Sequence, residues 1–585
     1  MTLHDHEALR ARLSLTLTLA LMACATDRAP EEVQDSDADV AGARDVGGDT
    51  GVAMDVDVAE HDALEVLDAA VDTDADDTGT GDADADVPDV DAGVTCGQDE
   101  AVCDGACVDP GADDAHCGEC GSACGTGERC MARACVCVEP FEVVAVSPSP
   151  NAVAVASGAP IEVTTRCRVA PESLTEGAVV MWGSQSGTIP VALATTARGL
   201  TVTPRRGAWP GESIVVTLSA GVRDRGDRPL SAYGFGFMTA VSSPSAGMFE
   251  QRTSGLGDVS CASVAIADLD GDGDLDALGA AYQDEVEVFL NAGDAQLRLE
   301  GLVSDTSSST LALGDLDGDG VSDLVLAGEQ ELKWRRGDGM AGFQGVGARL
   351  GGLAQWVGLA DLDLDGDLDI VAVGATEVVT WVHDGAGGFE RRRQGSTPRG
   401  SRSAIGDLDG DGAPDLFVAN REGPERVWLN DGHGALVETA QALGAADGVW
   451  TALGDVDGDG DLDAVVANFG APTPALWLND GHGAFVDGQL GVGSLNSISV
   501  AMGDLDGDGD LDLYVGHGES SSSSNRVLLN DGHGHFADSG QRLGSLNTYA
   551  VQLADLDGDG DLDAFDGNWG VVGQRANQVW RNRSP

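Results

Sequence analysis

Residues 268–276 read Asp-Leu-Asp-Gly-Asp-Gly-Asp-Leu-Asp, and the form D-x-D-x-D-G-x-x-D returns six more times along the chain. The copies are DLDGDGDLD from Asp268, DLDGDGVSD from Asp315, DLDLDGDLD from Asp361, DLDGDGAPD from Asp407, DVDGDGDLD from Asp455, DLDGDGDLD from Asp504 and DLDGDGDLD from Asp555. Their first aspartates stand 46 to 51 residues apart. A fixed period of this size marks a repeat architecture before any one site is interpreted.

The motif has a direct chemical reading. Carboxylates at positions 1, 3 and 5 meet at one point only if the backbone turns sharply, which a glycine at position 6 permits; position 7 then offers its carbonyl and position 9 a further carboxylate. The candidate metal ligands are therefore Asp268, Asp270, Asp272, Asp274 and Asp276 in the first copy, and Asp315, Asp317, Asp319, Val321 and Asp323 in the second. They continue as Asp361, Asp363, Asp365, Asp367 and Asp369, then Asp407, Asp409, Asp411, Ala413 and Asp415. The last three sets are Asp455, Asp457, Asp459, Asp461 and Asp463; Asp504, Asp506, Asp508, Asp510 and Asp512; and Asp555, Asp557, Asp559, Asp561 and Asp563. Hard oxygen donors in this arrangement suit calcium, whereas magnesium wants a tighter octahedron and a transition metal brings His or Cys. Position 6 is glycine in every copy, and substitutions fall elsewhere, at position 7, where only a carbonyl is needed, and at positions that supply no ligand, such as position 4 with Leu364. A solvated acidic turn is the alternative for one isolated copy, but it does not explain variation confined to non-ligand positions.

No EF-hand glutamate follows. Short apolar runs come instead, such as Leu416-Phe417-Val418-Ala419 and Leu513-Tyr514-Val515, and then strands such as Val427-Trp428-Leu429 that run into Asn-Asp-Gly-His-Gly, a tight-turn signal. Each repeat reads as a four-stranded antiparallel sheet whose calcium clasps a connection between two strands. At about 48 residues per unit, stacked sheets of this size predict a β-propeller, one blade per motif. The last unit stops at Val579-Trp580-Arg581-Asn582 without a fourth strand, while Met248-Phe249 stands unused before the first motif, so the N-terminal strand is expected to complete the last blade. An open solenoid is the alternative. The fold class expected is all-β: a seven-bladed propeller at 244–585, preceded by an Ig-like β-sandwich, a small disulfide-rich module and a disordered acidic linker.

The aspartate loops and the Asn-Asp-Gly-His-Gly turns resemble the FG-GAP/VCBS repeats of integrin alpha subunits and many bacterial surface proteins, over residues 249 to 582. The resemblance implies a seven-bladed fold with calcium in interstrand loops, about one ion per repeat, and a frequent role in adhesion or ligand recognition. By the same match, positions 1, 3, 5 and 9 carry over as calcium ligands.

The N-terminus resembles a bacterial lipoprotein signal. Arg10 and Arg12 precede an apolar stretch ending in Leu21-Met22-Ala23-Cys24, so residues 1–24 are expected to direct export and Cys24 to carry the lipid, with a plain secretory signal as the alternative. Residues 25–95 are rich in Asp, Ala, Val, Gly and Thr with hardly a basic residue, and such a segment stays extended and disordered. Residues 96–140 hold nine cysteines and almost no apolar core, which in an exported chain reads as a disulfide-stapled module. Nine is odd, with Cys167 a candidate outside partner; zinc at Cys117-x-x-Cys120 is the alternative. Residues 141–243 alternate short strands with turns and resemble bacterial Ig-like domains, which serve as spacers.

With 32 basic against 99 acidic residues the formal charge is -67, which argues against nucleic acid, whose binding needs basic residues. No Ser-His-Asp arrangement or phosphate-cradling loop follows from the spacing, and His433, His482 and His533 occupy equivalent turns rather than a convergent catalytic set. The reading is therefore an exported calcium-binding protein of the bacterial outer membrane or cell surface, or a secreted one, that recognises a protein or glycan. It points away from an enzyme. The alternative is a calcium-dependent polysaccharide lyase or glycosidase on the same frame. The second and third repeats, with Trp334-Arg335-Arg336 and Arg391-Arg392-Arg393, depart most from the Asn-Asp-Gly-His-Gly pattern, and this basic region is a hypothetical site for an anionic partner.

Overall fold

The computed structural model describes residues 98–583, apart from short stretches such as 304–309, 519–523 and 571–575. The signal segment with Cys24, and the acidic linker, lie outside the described residues.

Disulfides organise the first described region. Two small hairpins, Ala101–Cys103 with Ala106–Val108 and Glu128–Met131 with Ala134–Cys137, are each tied to the segment between them, the first through Cys103–Cys120 and the second through Cys117–Cys130 and Cys124–Cys135. Cys117 and Cys120 therefore belong to different bridges, and the zinc alternative is not met. Cys137 pairs with Cys167, tying this region to the sandwich that follows.

The sandwich is built from alternation. In Ile161–Thr165 the residues alternate buried and exposed, so one face enters the core and the other meets solvent. One sheet runs in the order Val143–Ser147, Ile161–Thr165, Gly199–Pro204, Val191–Thr196, and the other Tyr233–Met238, Ser213–Leu218, Val179–Gly183, Gly187–Thr188. Ile161, Leu200, Val202, Ile214, Val216 and Leu218 fill the space between them and are fully buried.

Each repeat forms one antiparallel sheet. In the sixth, Ser497–Gly503 leads into the aspartate loop, Asp512–His517 leaves it, and Arg526–Leu529 and Ala537–Asp538 complete the four strands. The seventh comprises Thr548–Ala554, Asp563–Asn568 and Gln578–Asn582, and its fourth strand is Phe249–Arg252, with Phe249 opposite Asn582. Apolar clusters lie between consecutive sheets: Leu278, Val288, Leu311 and Leu324 between the first and second, Tyr514, Val527, Val551 and Ala564 between the sixth and seventh. Phe289 and Phe565 share a cluster between the first sheet and the last.

The closed seven-bladed propeller expected from the sequence needs correction. The strands form seven separate four-stranded sheets in tandem, and none is closed or curled: every ladder stops after four strands. The physical reason is local pairing. Short connections between neighbouring strands satisfy the backbone within each repeat, so sheets meet through side chains and isolated hydrogen bonds rather than through a continuing ladder.

Glu425 is an unusual member of the packed region. It is 1 % exposed, neither carboxylate oxygen has a hydrogen-bond partner, and burial pushes its pKa up to about 7. A raised carboxyl is neutral in the folded chain while its unfolded counterpart ionises, so stability falls as pH climbs from the ordinary glutamate range to about 7. Glu425→Gln is expected to stabilise the repeat region at pH 8 by on the order of 3 kcal/mol, the free energy of a rise from the ordinary glutamate value to about 7, with almost no effect at pH 4. Thermal unfolding at the two pH values checks this; an equal gain at both would contradict it.

Candidate functional site

The position 6 glycines hold the loop open. Gly273, Gly320, Gly366, Gly412, Gly460, Gly509 and Gly560 have φ between 85° and 103°, a left-handed region that a Cβ would strain. The turn lets position 1 fold back on the loop: in the first copy Asp268 accepts from the amides of Gly271 at 2.8 Å and Gly273 at 3.2 Å. Position 5 accepts from the position 7 amide, as Asp272 does from Asp274 at 2.9 Å.

Position 9 is fixed differently. Asp512 is fully buried; its Oδ2 accepts from the Leu505 amide at 3.0 Å and its Oδ1 from the Asn530 amide at 2.8 Å. The same pair of bonds, from position 2 of the loop and from the end of the third strand, recurs at Asp276, Asp323, Asp369, Asp415, Asp463 and Asp563. Position 9 thus joins the loop to the sheet as well as facing the loop centre.

Oxygens of positions 1, 3 and 9 come within 4.8 Å of one another in Asp268, Asp270 and Asp276, in Asp315, Asp317 and Asp323, and in Asp361, Asp363 and Asp369. The first and third sets are open to a hard cation, whereas in the second Arg336 lies against Asp317. The Oδ1 atoms of Asp363 and Asp506, both at position 3, are buried without a hydrogen-bond partner, the state of a carboxylate oxygen awaiting a ligand. Burial, with the neighbouring carboxylates adding to it, raises the pKa of Asp276 to about 7 and of Asp512 to about 8. Bound calcium would cancel that crowding of negative charge. Position 7 side chains follow no common pattern, as expected of residues that would offer only a carbonyl.

Two roles within the motif were not legible as ligand chemistry. Position 2 is a core residue that packs toward the next sheet, as Leu269, Leu408 and Leu505 do, while position 8 packs toward the previous one at Leu275, Leu511 and Leu562. The first residue of the Asn-Asp-Gly-His-Gly turn is a buried staple. Asn530 Nδ2 donates to the carbonyl of Leu511 in its own loop and, at 2.8 Å, to that of Val456 in the loop of the preceding sheet. Asn430 and Asn479 do the same, Asn582 Nδ2 donates to the Leu505 carbonyl of the preceding loop, and Asn291 spans from the first sheet to Leu556 of the last at 2.7 Å. The regular recurrence of this asparagine was the available signal. His433, His482 and His533 lie exposed in those turns.

The sandwich sits on the loop face. Thr188 donates to Asp315 at 3.2 Å, Thr217 hydrogen-bonds Asp361, the Gly234 amide donates to the Gly412 carbonyl at 2.8 Å, and Asn151 Nδ2 reaches the Gly460 carbonyl at 3.0 Å. Leu364, the one position 4 residue that is not glycine, adopts a φ of 58° and is 5 % exposed beside Gly234. Its departure from the repeat is thus a docking contact. A cavity of about 1020 Å³ remains between the two, lined by Met181, Ile189 and Phe235 above and Leu359, Ile405 and Leu453 below. Arg391 and Arg393 both pair with Glu377, and Arg392 with Glu390, so the basic run is balanced by its own neighbours.

An FG-GAP-like repeat profile matches residues 268–326, 315–372, 407–466, 455–515 and 516–565. FG-GAP-like repeats are present. A bacterial Ig-like domain precedes them, matched over residues 138–239. No curated protein matches the chain. Among solved structures, the chain is similar to an Agrocybe aegerita lectin described as recognising non-reducing terminal N-acetylglucosamine, with 20% identity and a TM-score of 0.34 over 63% of this chain and 89% of that one. It is also similar to the lectin BP39L of Burkholderia pseudomallei, at 15% identity and a TM-score of 0.38 over 55% and 97%. A third is an auxiliary nutrient binding protein of Bacteroides ovatus, at 12% identity and a TM-score of 0.32 over 76% and 99%. At these values the likeness carries no functional conclusion.

Proposed function

We propose that the chain is an exported recognition protein whose FG-GAP-like region is clasped by calcium and presents the ends of its sheets opposite the aspartate loops to a protein or glycan. The observation that carries this reading is the double anchoring of the loop carboxylates. Positions 1 and 9 are each held by backbone amides, and the Ig-like domain covers several of the loops, which suits a structural clasp and not acid–base work on a large substrate. The disulfides of the cysteine-rich region accord with an oxidising compartment. Lipid attachment through Cys24, with residues 25–95 as a stalk, completes the proposed arrangement, and nucleic acid has no place in it.

The opposite ends of the sheets have the chemistry for recognition. Arg402 lies 4.5 Å over the Trp450 ring, Arg421 lies 5.5 Å over Phe469, and Tyr549 meets Trp569 edge to face at 5.3 Å. All four aromatic residues are only half-buried. Half-buried rings beside guanidinium groups offer stacking surface with polar edges, the combination that glycan and protein partners use. Capture of glycans and cell-surface proteins by the intact chain, with and without calcium, tests the reading. Trp450→Ala and Trp569→Ala are expected to reduce capture at least about tenfold, as loss of a buried aromatic contact at an interface does. Turnover of a polysaccharide by the intact chain would instead favour the lyase or glycosidase alternative.

A further inference from the structure

Two of the seven loops differ from the others in what faces them. On the third strand of each sheet, the residue opposite the position 9 aspartate points toward the loop. It is Leu290, Val382, Leu429, Leu478 or Leu529 in five sheets, and Arg336 or Arg581 in the second and seventh. Arg336 places Nε 2.8 Å from Asp317 Oδ2 and Nη2 2.6 Å from Asp319 Oδ2. Arg581 repeats the arrangement, with Nε in an ion pair to Asp557 Oδ2 and Nη2 2.8 Å from Asp559 Oδ2. In both sheets one fork of the guanidinium takes position 3 and the other takes position 5.

We propose that these two arginines replace calcium as the counter-charge of their loops, so that the repeat region holds five tightly bound ions, and that the loops of the second and seventh sheets close without metal. This rests on the calcium reading of the other five loops. A planar guanidinium with two parallel donors bridges a pair of carboxylates and screens their repulsion, which is the service the ion performs elsewhere. It also engages oxygens at two of the calcium positions and sets a fixed positive charge beside the loop centre, so a divalent ion arriving there loses ligands and meets repulsion. An aliphatic side chain at the same place does neither. The consequence is a division of labour: five junctions respond to calcium, while two stay formed without it. Both arginine-held sheets meet the Ig-like domain, through Thr188 to Asp315 in the loop of the second and Gln185 to the Leu553 carbonyl in the strand entering the loop of the seventh, so the domain keeps these two contacts when calcium is withdrawn.

Equilibrium dialysis of the intact chain against saturating calcium, with the bound metal counted by atomic emission, tests this. Five ions are expected in the parent protein, six in Arg336→Leu and in Arg581→Leu, and seven in the double variant. Leucine already occupies the equivalent position in four sheets, which favours folding. Arg336→Gln and Arg581→Gln, which remove the charge while keeping a polar chain, are expected to give the same increments, and Arg393→Leu none. Seven ions in the parent, or an unchanged count in folded arginine variants, would overturn the proposal and leave the calcium reading standing. No bound calcium in the parent would remove both.

Discussion

Chelating calcium from the intact chain is expected to lower the melting temperature of its repeat region by on the order of 20 °C. In a filled loop the ion would sit among carboxylates at positions 1, 3, 5 and 9, of which position 9 is wholly buried in every copy. Without the ion, burial and mutual repulsion oppose ionisation there, which is why Asp415 and Asp512 have pKa values raised to about 8. Each site filled at a hundredfold excess over its dissociation constant contributes about 2.7 kcal/mol, and several sites together move the midpoint of a region this size by roughly 2 °C per kcal/mol. Differential scanning calorimetry with and without chelator provides the measurement. Calcium added back should restore the transition, and magnesium should restore less of it, because the loop offers more oxygens at longer range than an octahedral ion accepts. A transition indifferent to both would sink the calcium reading.

Asp512→Ala and Asp506→Ala are expected to behave in opposite ways once calcium is absent. Asp512, at position 9, bonds the amides of Leu505 and Asn530, so its removal strands two buried N–H groups at a cost of about 4 kcal/mol even in chelator. Asp506, at position 3, has a buried Oδ1 without a partner, and burial followed by repulsion from Asp508 and Asp504 lifts its pKa to about 6. Its removal relieves crowding, so in chelator it should be neutral or stabilising, and in calcium it should cost the contribution of that site. Denaturant unfolding of both variants in the two conditions gives the four numbers needed. Equal losses for Asp506→Ala with and without calcium would mean that position 3 is structural and not a ligand.

The repeat was readable because the loop writes its constraints into residue type. A left-handed turn demands glycine at position 6, converging oxygens demand aspartate at positions 1, 3, 5 and 9, and an alternating face gives the sandwich strands their pattern. Other residues were visible yet misread or unread. Asn530 looked like the start of a turn and proved to staple two sheets; Leu505, at position 2, was unread and is core. Arg336 was read as part of a basic run for an anionic partner and instead pairs with its own loop, while Arg581 carried no signal until register set it against its loop. Leu364 looked like a tolerated change at a silent position, and it faces the Ig-like domain.

The chain by itself determined the repeat number, the sheet-forming strands, the aspartate loops and the cysteine-rich region, because each depends on residues close in sequence whose spacing is set by local geometry. It also placed the fourth strand of the last sheet at Phe249, through a missing strand at one end and a spare one at the other. Tertiary structure alone decided that the ladders end as separate open sheets, that the Ig-like domain rests on the loop face, and which loops meet an arginine. Those outcomes depend on contacts between segments tens to hundreds of residues apart, such as Thr188 with Asp315, whose energies are set by register and packing that no local pattern encodes.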